Sequence, residues 1–184
     1  MNEANSKIRI EEITDRARLG IIEELAWKIF PRTYEGLIPA EQTPYMMGIM
    51  YDETVLRKEF SEGMKFDLIL DGDAPIGYIC WHPADDGRGG KMLRLEKLYL
   101  DFAWHGRSIG NLALRHVIAQ AERLGASFIT LNVNKKNLRA QKAYLRAGFY
   151  RWRCEKESVG SGFFKDDYIM RYDLAPNRSG VVSQ

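Results

Sequence analysis

The chain has 184 residues, of which 45% are hydrophobic and 28% charged, enough for one domain with a substantial core. That balance excludes a disordered chain, and no apolar stretch approaches the roughly 20 residues that span a bilayer. A formal net charge of +2, without a compact run of Lys and Arg, argues against nucleic acid as a partner.

Residues 7–13 (KIRIEEI) alternate apolar and polar and predict a strand. Thr14 or Asp15 can cap a helix whose apolar face holds Leu19, Ile22, Leu25, Ala26 and Ile29, with Pro31 marking its end. Residues 31–45 contain three prolines and Gly36, and read as an irregular linker with a short helix near 40–50. Asp52 caps a further helix to about residue 62, which Gly63 ends. KFDLILD (65–71) and PIGYICWH (75–82) flank Gly72 and Asp73, the signature of a hairpin. The loop 84–90 then leads into a third strand of the meander, KMLRLEKLYL (91–100).

Residues 108–124 set Ile109, Leu112, Ala113, Val117, Ala121 and Leu124 on one helical face, and Gly125 stops the helix. A strand (127–134) follows, then a helix (137–147) capped by Asn137 and closed by Gly148 and Phe149 as in a Schellman ending. Strands near 149–158 and 166–173 complete the order. The expected fold is α/β (α+β): one domain over 7–174, with a mixed, mostly antiparallel sheet of six to seven strands and helices on both faces. Residues 175–184 read as a flexible tail. Cys80 and Cys154 are too few for a disulfide framework and lack metal-ligand spacing, so no metal is expected. The polar start MNEANSK has no signal-peptide core, and the expected setting is reduced and cytoplasmic.

The stretch most suggestive of chemistry is HGRSIG (105–110), between a strand and a helix. Its glycines let backbone N–H groups approach a ligand, and the helix N-terminus adds partial positive charge. Together these suit a phosphate or pyrophosphate, although Gly106 and Gly110 alone equally read as an ordinary turn. Charge is unevenly spread. From His105 to Arg146 there are eight basic residues and one acid; from Glu35 to Glu62 there are six acids and two basic residues. A polyphosphate near the first region and a cationic substrate near the second would fit, as would two solvated helical faces.

LEKLYLDFAWHGRSIGNLAL resembles motif A of the GCN5-related N-acetyltransferase (GNAT) superfamily, Arg/Gln-x-x-Gly-x-Gly/Ala. NKKNLRAQKAYLRAGF resembles motif B, with Asn137, Ala140, Tyr144, Gly148 and Phe149 in the matching places. Within the superfamily the chain is similar to bacterial polyamine N-acetyltransferases, including TYEGLIPAEQTPYMM and the late DDYIM. The resemblance implies transfer of an acetyl group from acetyl-CoA to a primary amine, a polyamine among the candidates, directly within a ternary complex; acetylation of a protein N-terminus, a lysine or an aminoglycoside, and a non-catalytic acyl-CoA-binding regulatory module, are the alternatives. It also implies a small-molecule amine partner and allows a homodimer through an exposed strand near the C-terminus.

By the same resemblance, the backbone of Leu98, Tyr99 and Leu100 would pair with the pantetheine arm, with Leu98 N–H as oxyanion donor. Residues His105, Gly106, Arg107, Ser108, Ile109, Gly110 and Asn111 would surround the pyrophosphate, and Asn137, Ala140 and Tyr144 would flank the arm. The sequence departs from motif A at His105, in place of the opening Arg/Gln, and at Ser108, where Gly is usual. His105 could make phosphate binding pH-sensitive, and the Ser108 hydroxyl could cap the helix.

An alkyl ammonium with a pKa of ~10 must lose a proton before it can attack, and the thiolate must be protonated or stabilised. Tyr144 stands at the family's general-acid position, and also fits a core-edge tyrosine. Glu96 is the candidate base, placed by simple alternation on the same sheet face as Leu98 and Leu100, although it falls two positions from the family's usual base, where Arg94 stands, and also fits a surface ion pair with Lys97 or Arg94. A water relay with Glu35 or His82 on the substrate side competes with it. Tyr34, Tyr45, Met46, Met47 and Tyr51 could line an apolar channel for the acceptor, or simply pack.

Overall fold

A computed structural model describes residues 8–174; the first strand residue expected at 7 and the tail expected at 175–184 lie outside them. Seven strands form one sheet: β1 (Ile8–Glu12), β2 (Lys65–Asp71), β3 (Ala74–Asp85), β4 (Lys91–Leu100), β5 (Phe128–Asn134), β6 (Tyr150–Gly160) and β7 (Phe163–Asp173). Their order is β1-β2-β3-β4-β5-β7-β6, and every neighbouring pair is antiparallel except β4 with β5. The helices α1 (Gly20–Tyr34), α2 (Gln42–Tyr51) and α3 (Glu53–Ser61) cover one face. The other face carries α4 (Ile109–Leu124) and α5 (Leu138–Arg146).

Each face has its own core, because alternate strand residues turn opposite ways. Phe66, Leu68, Tyr78 and Cys80 pack under α1–α3 with Ile22, Phe30, Met47 and Tyr51. Ile69, Ile79, Leu93, Leu95, Ile129 and Leu131 pack under α4 with Ala113, Leu114 and Val117. Asp52 caps α3 as expected, its carboxylate accepting from Thr54 N at 2.9 Å.

Three local expectations change. Pro31 does not end α1, which continues to Tyr34. Proline removes only the bond to the carbonyl one turn earlier, on the exposed Trp27, and the Thr33 hydroxyl ties the last turn to Ile29 O at 2.8 Å. Asp15 caps a short 3₁₀ turn (Arg16–Leu19) that precedes α1, rather than α1 itself. β3 runs on to Asp85, where it pairs with Lys91 of β4, and β7 starts at Phe163, because the tight turn Gly160-Ser161-Gly162, with all three residues at positive φ, lets β6 and β7 pair to their tips.

Candidate active site

β4 and β5 pair only from Met92–Leu95 to Phe128–Leu131; beyond that, Glu96–Leu100 and Asn132–Asn134 have no partner in each other. The sheet therefore opens at its centre. Asp101 N donates to Ile76 O at 2.8 Å, so alternation along β4 turns Tyr99 and Lys97 toward β3 and the backbone groups of Leu98 and Leu100 toward the opening. Leu98, Tyr144, Ala140, Asn137, Asn132, Val133 and Tyr99 line this gap.

On the α4/α5 side the gap widens into a cleft of about 440 Å³ beside the strand-to-helix turn. Gly106 lies at φ +79° and Ser108 at φ +61°, and Ser108 makes no side-chain bond to the helix. Its expected capping role is thus not seen: the left-handed backbone aims the hydroxyl elsewhere and leaves the first-turn amides unpaired. That same φ explains why motif A usually has glycine here. A Cβ built on Gly106 or Gly110 meets no protein atom within 4 Å, so the room at the turn is open to a ligand. Arg139 and Arg146 from α5 line the cleft, and Arg107 lies over the Trp104 ring.

His105 is not a free phosphate contact. Its Nε2 lies 2.9 Å from Leu100 O and its Nδ1 2.7 Å from Arg139 Nη1. Burial, followed by the Arg139 charge, pushes the imidazole below its ordinary value and keeps it neutral near pH 7. Nε2–H then donates to the Leu100 carbonyl while Nδ1 accepts from Arg139. The side chain links the end of β4 to α5, and takes up one of the two Leu100 backbone groups expected to face the pantetheine.

Asn137 caps α5, accepting from Ala140 N at 3.1 Å. The Schellman ending is complete: Phe149 N donates to Tyr144 O at 3.0 Å and Gly148 N to Leu145 O at 3.1 Å, with the Tyr144 and Phe149 rings 5.9 Å apart. These bonds hold Tyr144 at the edge of the gap, where burial pushes its phenol above the ordinary value.

On the α1–α3 side a smaller cleft, about 100 Å³, is lined by Tyr34, Met46, Met50, Arg94, Glu96, Tyr99, Asn132 and Asp167, among others. Glu96 lies on this face of the sheet and not on that of Leu98 and Leu100, and it also borders the gap. Trp81 pairs with Leu95 but Cys80 pairs with Lys97, so Glu96 is an extra residue, a β-bulge that reverses the alternation. Leu93 and Leu95 before it, and Leu98 and Leu100 after it, all reach the α4 core.

Glu96 accepts from Arg94 Nε at 3.2 Å and lies 3.1 Å from His82 Nε2. Burial opposes its charge, but the His82 bond and the Arg94 charge outweigh that and hold the carboxyl at about 2. His82 is pushed up by the same contact. In the same cleft Asp167 is 7% exposed, and burial raises its carboxyl above the ordinary range. A roof joins α2 to the β6–β7 hairpin: Gln42 Nε2 donates to Phe164 O at 2.8 Å and the Tyr45 hydroxyl to Val159 O at 2.6 Å.

The sequence of this chain matches the profile of the Acetyltransferase (GNAT) family over residues 21–149. The chain belongs to the GNAT family. As a GNAT protein it is an N-acetyltransferase with acetyl-CoA as its acyl donor. It is 32% identical over 157 residues to an uncharacterized N-acetyltransferase of Mycobacterium tuberculosis, and likewise to one of Mycobacterium bovis, the match covering 83% of this chain and 97% of each relative. Its fold is similar to that of the PaiA N-acetyltransferase from Thermoplasma acidophilum in complex with coenzyme A, with a TM-score of 0.72 at 19% identity over 91% of this chain and 99% of that one. NAA60 of Arabidopsis thaliana in complex with a bisubstrate analogue gives a TM-score of 0.70 at 17% identity over 92% and 99%.

Among the residues singled out from this GNAT sequence, Leu98, Leu100, His105, Gly106, Ser108, Ile109, Gly110, Asn111, Ala140 and Tyr144 share the larger cleft. Tyr34, Glu96 and Tyr99 meet in the smaller one. Glu35 is exposed at the end of α1 and lines neither cleft, and His82 reaches the smaller one only through its contact with Glu96. Three of the six acids of 35–62 are caps or surface pairs: Asp52 caps α3, Glu53 pairs with Arg57 and Glu62 with Lys58, while Glu59 pairs with the buried Lys97. Of the proposed channel residues, Tyr34 and Met46 line the cleft, whereas Met47 and Tyr51 are core.

Sequence reasoning missed Asn132 and Asp167, whereas the ion pair it weighed between Glu96 and Arg94 is present. Asp167 had a usable signal: of two adjacent acids in a strand, one must face inward. The spacing of Leu93, Leu95, Leu98 and Leu100 likewise encodes the bulge, since a regular strand would keep one parity.

Proposed function

We propose that the chain transfers the acetyl group of acetyl-CoA to a cationic primary amine by direct attack in a ternary complex, with a small polyamine as the kind of acceptor expected. One observation carries this reading: the opening between β4 and β5 connects the two clefts through the sheet. The gap shares Leu98, Ala140 and Tyr144 with the larger cleft, and Tyr34, Glu96, Tyr99 and Asn132 with the smaller. A donor on one face and an acceptor on the other meet there without a covalent enzyme intermediate.

The residues present fit the donor. The unpaired amides at 106–111, with Arg139 and Arg146, suit a pyrophosphate, and Leu98 offers its backbone to the pantetheine as a short strand addition, its N–H meeting the developing oxyanion. The acceptor ammonium rests against Glu96, which stays ionised at any working pH. That low basicity fits an anchor for positive charge better than a proton acceptor. Tyr34 and Tyr99, joined through their hydroxyls at 3.1 Å, and the methionines Met46 and Met50 flank the methylene chain. Tyr144 gives its proton to the departing thiolate; its phenol is less acidic than a thiol near ~8.5, so the transfer is uphill on its own and is drawn forward by collapse of the tetrahedral intermediate and return of a proton from the new amide nitrogen.

Thiol release with acetyl-CoA and a panel containing spermidine, short peptides with free N-termini and aminoglycosides tests the reading. Spermidine turnover is the expected result, and coenzyme binding without thiol release for any amine would overturn it. Tyr144→Phe should lower kcat about 10²-fold or more with little change in coenzyme affinity; unchanged kcat removes Tyr144 from the acid role.

A further inference from the structure

We propose that Asp167 is the proton acceptor for the amine, a division of labour in which Glu96 holds the ammonium and Asp167 takes its proton. This rests on the acetyl-transfer reading above and assigns the one step it leaves open. Asp167 is buried on β7 and lines the acceptor cleft together with Glu96 and Tyr34. No Lys, Arg or His lies within ion-pair distance of it among the described residues, whereas Glu96 has both Arg94 and His82. A buried carboxylate without a cation, facing a cavity, is costly unless a ligand brings one.

The groups around Asp167 are Tyr34 from α1, Arg94 and Glu96 from β4, Glu155 from β6, and Lys165 and Asp166 on its own strand; β5 contributes the uncharged Asn132 and Asn134. Burial is the strongest influence and raises Asp167, while Lys165 works against it. Two carboxyls in one cleft, one held low and one raised, are suited to different tasks.

The step balances as follows. One proton passes from the ammonium to Asp167, and the freed nitrogen pair forms the N–C bond to the thioester carbonyl carbon. As the oxyanion collapses, the C–S bond breaks and the thiolate takes the Tyr144 proton. The new amide nitrogen loses its extra proton to the Tyr144 phenolate, and Asp167 returns its own to solvent, so one proton is released per turnover.

Asp167→Asn and Glu96→Gln, compared through pH profiles of thiol release, test this. Asp167→Asn should lower kcat about 10²-fold or more, abolish the acidic limb of kcat/KM, and recover as pH rises toward the amine pKa of ~10. Glu96→Gln should raise the amine KM and keep the acidic limb. An Asp167→Asn enzyme with the wild-type limb and kcat overturns the assignment. Coenzyme affinity reports folding, and if Asp167→Asn does not fold, Asp167→Glu must shift the limb; an unmoved limb also overturns it. Wild-type turnover with either failure sinks only the Asp167 role, whereas absent wild-type turnover sinks the acetyl-transfer reading itself.

Discussion

Replacing Glu96 with Gln tests whether the smaller cleft carries a fixed negative charge. The fold brings this carboxyl from its ordinary 4.5 to about 2, burial opposing the shift and His82, Arg94 and Lys97 driving it. A change of that size corresponds to roughly 3 kcal/mol of differential stability, at about 1.36 kcal/mol for each tenfold change in acidity. The Glu96 side chain keeps 31% of its surface, so screening reduces this to about 1–2 kcal/mol. Because the group is lowered in the fold, its contribution is complete above 4.5 and disappears as pH falls toward 2. The His82 side of the contact is raised, so it is present below 6.5 and fades as pH rises through the raised value. Both descriptions concern one contact, counted once, and the effect is therefore largest near about pH 5–6. Urea unfolding of wild type and Glu96→Gln should show the variant less stable by about 1–2 kcal/mol at about pH 6, with the gap narrowing markedly by about pH 3. Equal stability at the higher pH, or an undiminished gap at the lower, would refute the reasoning.

Two backbone positions give sharper stability tests. A Cβ on Gly77 would sit 2.5 Å from Tyr99 O, backbone that has no room to yield, so Gly77→Ala should destabilise the chain by about 1–3 kcal/mol in thermal or urea melts and weaken amine turnover by shifting Tyr99. Ser108→Val puts a β-branched residue at φ +61° and should cost about 1–2 kcal/mol while weakening coenzyme binding by calorimetry; Ser108→Gly should stay within about 1 kcal/mol of wild type in the same melts.

Short-range signals made much of the fold legible. The Gly72–Asp73 hairpin, the Asn137 cap and the Gly148–Phe149 ending each depend on residues only a few positions apart, and all three stand in the structure. The turn at 105–110 was readable for the same reason, since glycines and a helix start announce themselves locally. Failures came where distant elements decide. Pro31 stayed inside α1 because helix packing on the sheet outweighs one missing hydrogen bond. The partner of His105 was not legible because Arg139, 34 residues away, holds its ring.

By itself, the sequence determined the order of elements and the two motifs, and with them the side proposed for the acetyl donor, because each is written in contiguous residues. Only the tertiary structure built the cleft proposed for the acceptor. The bulge at Glu96 turns that carboxylate away from Leu98 and toward α1, and strand order brings β7 beside β5, so that Asp167 and Glu96 line a single cleft. Local spacing cannot set the pairing of strands so far apart in the chain, and that pairing is what gives the two carboxylates their opposite acidities.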